Sequence, residues 1–400
     1  MNVIRSTDLY ILVLAVWWAV WLSVSSFGYG GLVRPSGVVL GQFLLLLSAF
    51  LYGGGVARLL FAGRRGQCPQ IMMGPSRGTS RGLLFLGVLC LLVILFSLYL
   101  SGGFSMSFED YHLKLRFYGL EDTLTGMKYL DLFLKLFVYP FSFFLMIYSL
   151  AIKPWRVKFL FPVAVVSLVS FSYLWQVNYP LVHVFWVILF SVWVGFKVGY
   201  RVDKKHVLII VASFVVLVFA AVNRFSGDLA GALDRYFLGY HVIGFSYYDY
   251  HYKDSYSILH DHSFGRSSLG FIEQFFDLLL RFFGSEYKAA SFENIDFNVA
   301  AIDLGESGVR NVNAFGTILF SFYRDFNYFG IIFGGFLYGL FVVYSFLACS
   351  ESWRFRAVVL VLAPAWMIGM MVSPLEQPYF WFSVLCVFIV PNRVVKNNVS

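Results

Sequence analysis

The sequence predicts an all-α polytopic membrane protein with about ten transmembrane helices and one large external loop containing short helices. Three observations lead there. Hydrophobic residues make up 59% of the 400-residue chain and charged residues only 13%, roughly half the ~25% charged share of an ordinary soluble domain. Mean hydropathy is +0.74, so there is too little polar surface to coat a water-soluble core of this size. Apolar runs of spanning length recur along the chain. The same composition excludes a disordered chain and a secreted disulfide scaffold.

The runs fall at 9–27, 38–61, 83–101, 130–152, 159–177, 181–199, 207–222, 328–349, 357–372 and 379–391. The first ends at Ser25, Ser26 and Phe27 without a clear small-residue cleavage site, and reads as a retained helix. Orientation follows from Lys and Arg, which collect in short cytoplasmic loops. Arg64, Arg65, Arg77 and Arg81 separate the second and third runs, and Lys153, Arg156 and Lys158 the fourth and fifth. Lys197, Arg201, Lys204 and Lys205 follow the sixth, Arg354 and Arg356 the eighth, and Arg393 and Lys396 the last. Every second connection is basic, which predicts both termini on the cytoplasmic side. The net charge of +8 is mostly this topology signal, so no nucleic-acid partner is expected.

The chain reads as a single integral membrane domain, 1–400, with a first external loop at 102–129 and a large one at 223–312. The large loop holds twelve acids against seven Lys or Arg, and four of the seven histidines. A connection that long is uncommon unless it is functional. Cys68 falls in an internal loop and Cys90, Cys349 and Cys386 within runs, so no disulfide is expected.

Within the large loop, Asp228–Leu238 reads as a short helix with Ser226 or Asp228 as N-cap. A second helix is expected at 269–283, with Phe271, Phe275, Phe276, Leu279, Leu280 and Phe283 on one face and Glu273, Asp277 and Arg281 on the other. It either lies in the membrane interface or packs on the ends of the other helices. Between them runs Tyr247-Tyr-Asp-Tyr-His-Tyr-Lys-Asp-Ser-Tyr256. Rings beside carboxylates suit sugars, whose C–H faces stack while hydroxyls need acceptors; Tyr248 and Tyr250 are the glycan candidates here. Tyr is also enriched at membrane interfaces for unrelated reasons.

His260-Asp261-His262 offers a general base near neutral pH, or a purely structural hydrogen-bonded pair. No spaced partner motif completes a metal site, so no metal and no cofactor is expected. Arg224, Arg266, Arg310 and Arg324 are the candidate pyrophosphate ligands, because guanidinium groups grip phosphate bidentately. Arg224 follows the seventh run, and Arg310 and Arg324 flank the start of the eighth. Asp325 sits at the mouth of that run, where a charge is expected to pair, with Arg324 or Arg310 available. Gly330/Gly334 and Gly335/Gly339 would let this helix pack closely on a neighbour.

The segment 311–339 resembles the Wzy-type O-antigen polymerases, within the wider oligosaccharide repeat-unit polymerases of bacterial envelopes. Their pattern places an Asn, an aromatic–small pair, then Tyr-x-Asp-Phe-Gly-x-x-Gly at the external start of a late span. Asn313, Phe315-Gly316, Tyr323, Asp325, Phe326 and Gly330 match it. Asn327 stands where the first glycine is usual, and the hairpin Gln176-Val-Asn178-Tyr-Pro180 lacks the arginine often found there. The resemblance implies a multi-pass inner-membrane glycosyltransferase acting at the periplasmic face. A glycan leaves one undecaprenyl pyrophosphate and joins a repeat unit held on another. Arg224, Arg266, Arg310 and Arg324 would then meet the pyrophosphate, and His260, His262 and Asp325 are the candidates for catalytic base. Tyr248, Tyr250, Asn313 and Tyr323 would contact glycan, and a chain-length regulator is a possible partner. An O-antigen ligase shares the donor and topology. A lipid-linked oligosaccharide flippase predicts internal repeats and a charged cavity, neither of which the sequence contains. A membrane O-acyltransferase would place essential His and Arg within early runs, which hold no His and, of Arg, Arg58.

Overall fold

The computed structural model describes residues 3–62, 72–118, 124–152, 159–198, 228–299, 302–306, 311–312, 316–391 and 393–395, with positions 211, 214, 215, 218, 219 and 222. Helices are, in order, α1 (Val3–Ser26), α2 (Gly37–Ala62), α3 (Arg77–Leu100), α4 (Phe108–Tyr118) and α5 (Lys128–Phe133). Next come α6 (Tyr139–Ala151), α7 (Leu160–Trp175), α8 (Tyr179–Lys197), α9 (Leu229–Ala232) and α10 (Tyr240–Lys253). The last are α11 (Gly270–Phe282), α12 (Ala290–Val299), α13 (Ile318–Ala348), α14 (Trp353–Ile368) and α15 (Pro378–Ile389). Wider π turns at Leu134–Val138 and Leu233–Gly239 join α5 to α6 and α9 to α10. Two short antiparallel ladders pair β1 (Met72–Gly74) with β4 (Arg393–Val395), and β2 (Ile302–Asp303) with β3 (Asn311–Val312).

The protein is mostly helical, and among the described residues six stretches are long and apolar enough to cross a membrane: Thr7–Ser26, Gly37–Phe61, Arg77–Leu100, Lys128–Ala151, Tyr179–Lys197 and Ile318–Ala348. They coincide with the expected first four, sixth and eighth runs. The fifth and tenth runs form the shorter apolar helices α7 and α15, and the ninth overlaps α14. Of the seventh run, 207–222, only positions 211, 214, 215, 218, 219 and 222 are among the described residues. Ser226 and the basic positions Arg64, Arg65, Lys153, Arg156, Lys158, Arg201, Lys204, Lys205 and Lys396 lie outside them.

Two compact units form, each discontinuous in sequence. One comprises Met1–Cys68, Val222–Ala348 and Leu362–Trp381; the other comprises Pro69–Ala221, Cys349–Val361 and Phe382–Ser400. In the first, α2 and α13 pack backbone to backbone through glycine. A Cβ on Gly53 would lie 2.0 Å from the Phe336 carbonyl oxygen, and one on Gly339 2.0 Å from that of Phe50. Such approach suits helices in lipid, where van der Waals contact drives association. Phe50 also stacks on Trp366 at 4.1 Å between centroids, and Trp18 donates its indole N–H to the Trp366 carbonyl (3.0 Å).

α13 is not one rod. Phe326 and Asn327 leave helical geometry, Asn327 at φ +53° and ψ −139°. The chain doubles back there, so that a Cβ on Gly330 would sit 1.9 Å from the Phe322 carbonyl oxygen and one on Gly334 2.5 Å from the Phe322 ring. Residues 328–348 alone rise ~31 Å, about one hydrocarbon thickness. They match the expected 328–349 run, and the two turns before the break are an addition at its mouth.

One expectation for the large loop is corrected. The tyrosine-rich stretch is not a connection between helices: most of it belongs to α10, with Tyr247, Tyr248, Asp249 and His251 buried. α11 forms where expected, with its polar side buried. Glu273, Gln274 and Asp277 are buried, while Phe275, Phe276, Leu279, Leu280 and Phe283 are exposed. Asp228 holds the N-cap position of α9 without a side-chain capping bond.

In the second unit, the stretch after α3 carries α4. Its start is set by a reciprocal cap: Ser107 Oγ donates to Asp110 (2.6 Å) and accepts from the Asp110 N–H (3.1 Å). Tyr111 on the same helix donates to the Leu174 carbonyl at the end of α7 (2.8 Å). α3 packs on α6 at Gly87, where a Cβ would lie 2.4 Å from Leu145 Cδ2. α7 and α8 form a hairpin, with Gln176 left-handed at φ 50° and Pro180 in the first turn of α8.

Candidate functional site

The break in α13 anchors a buried polar cluster in the first unit. Asp325 accepts from Ser263 Oγ (2.5 Å) and from the backbone N–H groups of Ser267 and Ser268 (2.9 Å each). Ser263 N–H donates in turn to the Arg324 carbonyl (2.9 Å). The carboxylate therefore holds the 263–268 turn against the helix end, using charge-assisted bonds that are roughly twice as strong as neutral ones. Arg324 faces elsewhere. Its guanidinium donates to the Ala290 carbonyl (2.9 Å), the Asp261 carbonyl (3.4 Å) and Asn294 Oδ1, and pairs with Glu293 at 2.6 Å. Of the two cations available to Asp325, Arg324 does not pair with it, because successive helical side chains project ~100° apart, and Arg310 lies outside the described residues.

Asn294 ties the two halves together. Its Nδ2 donates to Ser267 Oγ (2.8 Å) and to Glu376 Oε1 (2.7 Å). Ser321 Oγ (2.6 Å) and Ser267 Oγ (3.2 Å) donate to the same Glu376 oxygen. Burial pushes the Glu376 carboxyl up to about 7, with the hydroxyl and amide donors and Arg324 pulling the other way. Gln274 on α11 donates to the Glu376 carbonyl (3.2 Å). Beside this, Glu273 pairs with Arg266, accepts from Tyr287 Oη, and takes the Ala290 N–H at the start of α12 (2.8 Å). A carboxylate there complements the helix dipole.

An aromatic cluster covers the same helix end. Tyr323 meets Tyr252, Tyr328, Tyr248 and His260 edge to face, with centroids 5.7, 5.8, 6.2 and 6.2 Å away. Half-buried His260 has Nε2 3.2 Å from the Tyr252 carbonyl. A carbonyl only accepts, so Nε2 carries the proton and Nδ1 keeps its lone pair. His262 is exposed, and its Nε2 lies 2.9 Å from Asn327 Nδ2.

Of the residues expected from sequence, His260, His262, Tyr323, Arg324 and Asp325 come together at this break, and Arg266 lies beside it on the far side of the 263–268 turn. Arg324 is buried with four protein acceptors, which makes it a brace for α12 and the 261–263 segment instead of an open phosphate ligand. Arg266 is half-exposed but engaged by Glu273 and the Lys288 carbonyl (2.9 Å). Tyr248 is corrected: its ring is fully buried against Phe43 and Tyr323, with no face open to a sugar. Tyr250 remains 43% exposed. Arg224, Arg310 and Asn313 lie outside the described residues. Among the described residues, no group of three or more His, Cys, Asp or Glu comes together to hold a metal ion.

Glu376, Asn294, Ser267, Ser321 and Glu293 were not expected. Glu376 did carry a signal: it is the one acid in the short Ser373-Pro-Leu-Glu-Gln-Pro378 connection between two apolar runs, where an ionisable residue is a functional candidate by default. Asn294 and the serines carry none, since their role exists only through their partners. No protein-family model, curated protein or solved structure matches the chain.

Proposed function

We propose that this chain is an O-antigen polymerase, a multi-pass protein of the bacterial inner membrane with both termini cytoplasmic. It transfers a glycan from undecaprenyl pyrophosphate to a repeat unit on a second carrier at the periplasmic face. One observation carries most of the weight: the segment that resembles the Wzy pattern behaves as one structural device. Tyr323, Asp325, Phe326, Asn327 and Gly330 together make the helix break. Asn327, at the position where the pattern has glycine, adopts a positive φ that glycine tolerates best and Asn better than most. Gly330 is required because the Phe322 carbonyl occupies the space of a Cβ.

The chemistry assigns work to named groups. The acceptor hydroxyl gives its proton to His260 Nδ1 as its oxygen bonds to the donor's anomeric carbon. The bond from that carbon to the pyrophosphate oxygen breaks, and the lipid pyrophosphate leaves with both electrons. His260 is oriented for this by the Tyr252 carbonyl. Half-buried Tyr252 and exposed Tyr328 present rings for sugar C–H faces, packed on Tyr323, which is itself buried and so corrected as a direct sugar contact, with exposed Tyr250 as a further candidate. Arg266 is the partly exposed cation nearby, while Arg324 and Asp325 act as positioning residues. Arg224, Arg310 and Asn313 complete the proposal from sequence alone.

Deletion in the bacterial host, followed by lipopolysaccharide profiling, tests the activity. Core bearing a single repeat unit is expected; loss of even that unit would assign a ligase or flippase instead. His260→Ala is expected to cut long chains at least tenfold with normal protein abundance, because general-base catalysis contributes ~10²–10⁴-fold. Unchanged chain length would remove His260 from the mechanism.

A further inference from the structure

We propose that α11 is an in-plane membrane helix whose Phe/Leu face inserts among the phospholipids of the bilayer while its polar face clasps the buried cluster. This does not rest on the glycosyl-transfer reading.

The helix is inverted relative to a helix on a water-facing surface. Asp277 is 0% exposed whereas Phe276 is 56% and Phe283 81% exposed. The buried side chains of Glu273, Gln274 and Asp277 on the inner side each bond within the protein. Glu273 holds Arg266, Tyr287 and the Ala290 N–H, Asp277 takes the Ala289 N–H (3.0 Å), and Gln274 donates to Ser291 (2.9 Å) and to the Glu376 carbonyl. These bonds fix which side faces outward, so the helix cannot roll to hide its phenylalanines. Polar residues of membrane proteins face the interior in this way.

The outward side carries Phe275, Phe276, Leu279, Leu280 and Phe283 with no polar side chain among them. Arg281 borders the patch, its guanidinium turned back onto Asp277 (2.6 Å). The position of the patch points the same way. Gly270 at the start of α11 lies so close to the backbone of Leu375 and Glu376 that a Cβ there would be 2.5 Å from Glu376 Cα. That backbone runs straight into apolar α15 at Pro378, whose Trp381 donates to the Ser268 carbonyl (2.8 Å). Exposed Phe326, Phe329, Ile332 and Phe333 on α13 extend an apolar surface from the same helix break along a membrane-spanning stretch. α11 thus sits at the mouth of the spans, at headgroup depth. Past its end, Gly284 turns left-handed (φ +83°) and Ser285 N–H returns to the Leu280 carbonyl (3.0 Å), leaving Phe283 at the outer corner.

Photo-cross-linking of the full-length protein in its own membranes tests this. p-Benzoylphenylalanine replaces Phe276 or, separately, Phe283, and adducts are identified by mass spectrometry, with the same probe at Phe333 as the lipid-facing reference. Phospholipid adducts at 276 and 283, at yields within about threefold of those at 333, are expected. Adducts to a second copy or another protein would overturn the proposal. So would capture of polyprenyl phosphate in place of phospholipid, or no adduct at 276 and 283 while 333 reacts.

Discussion

Two helix mouths in this protein begin with an acid close to a base, and they are built in opposite ways. At the start of α5, Asp131 is buried, and among the described residues it has a single long hydrogen bond, from the Thr125 N–H at 3.5 Å, with no partner for its other oxygen. Lys135, one turn on, lies 4.0 Å over the Trp175 ring at the π turn instead of closing on Asp131. At the break in α13, Asp325 and Arg324 are saturated, and their partners come from two separate stretches of chain, 261–268 and 290–294. A charge at a span mouth is therefore no guide to a site by itself. What distinguishes the second mouth is that its charges organise other segments.

Substitutions at both mouths turn this contrast into measurable differences in thermal unfolding of the reconstituted protein. Asp325→Ala has the largest expected effect, a loss of about 3–5 kcal/mol, because one hydroxyl and two backbone N–H groups lose their acceptor. A loss below about 1 kcal/mol would make the two mouths equivalent. Glu376→Gln comes next, through pH. The folded carboxyl stands at about 7 against an ordinary value of 4.5, so the unfolded chain releases this proton first. Stability from this group is full below about 4.5 and falls as pH rises to about 7, by about 3 kcal/mol in total. Glu376→Gln should flatten that slope; an unchanged pH profile would place the proton elsewhere. Asp131→Asn should change stability by less than about 1 kcal/mol, since it removes a charge with little to hold. A large loss there would reveal an organising role at the first mouth too.

Much of this architecture is legible in the amino-acid order. Helices over most of the apolar runs and the helix at 270–282 follow from run length and period; the meeting of His262 with Asn327, 65 residues on, does not. The failures are equally specific. Tyr248 was an open sugar platform by composition, yet α10 packs it among Phe43 and Tyr323. Arg324 and Asp325 were a pair by adjacency, yet helical geometry sends them to different partners. Glu376 went unremarked because one acid in a short connection adds little to a charge census.

The division between the two levels has a physical basis. Composition and periodicity suffice for membrane residence, for most of the helices and for the concentration of polar chemistry in one loop, because transfer into lipid and helix formation act over a few turns of chain. They also specify that α11 has two faces. Which face is buried, and which acids share a site, depends on segments meeting across long separations: Ser267 reaches Glu376 from 109 residues away. Those meetings are set by close packing at Gly53, Gly330 and Gly339 and by donors that must find acceptors once removed from water, and neither condition can be read from any single stretch.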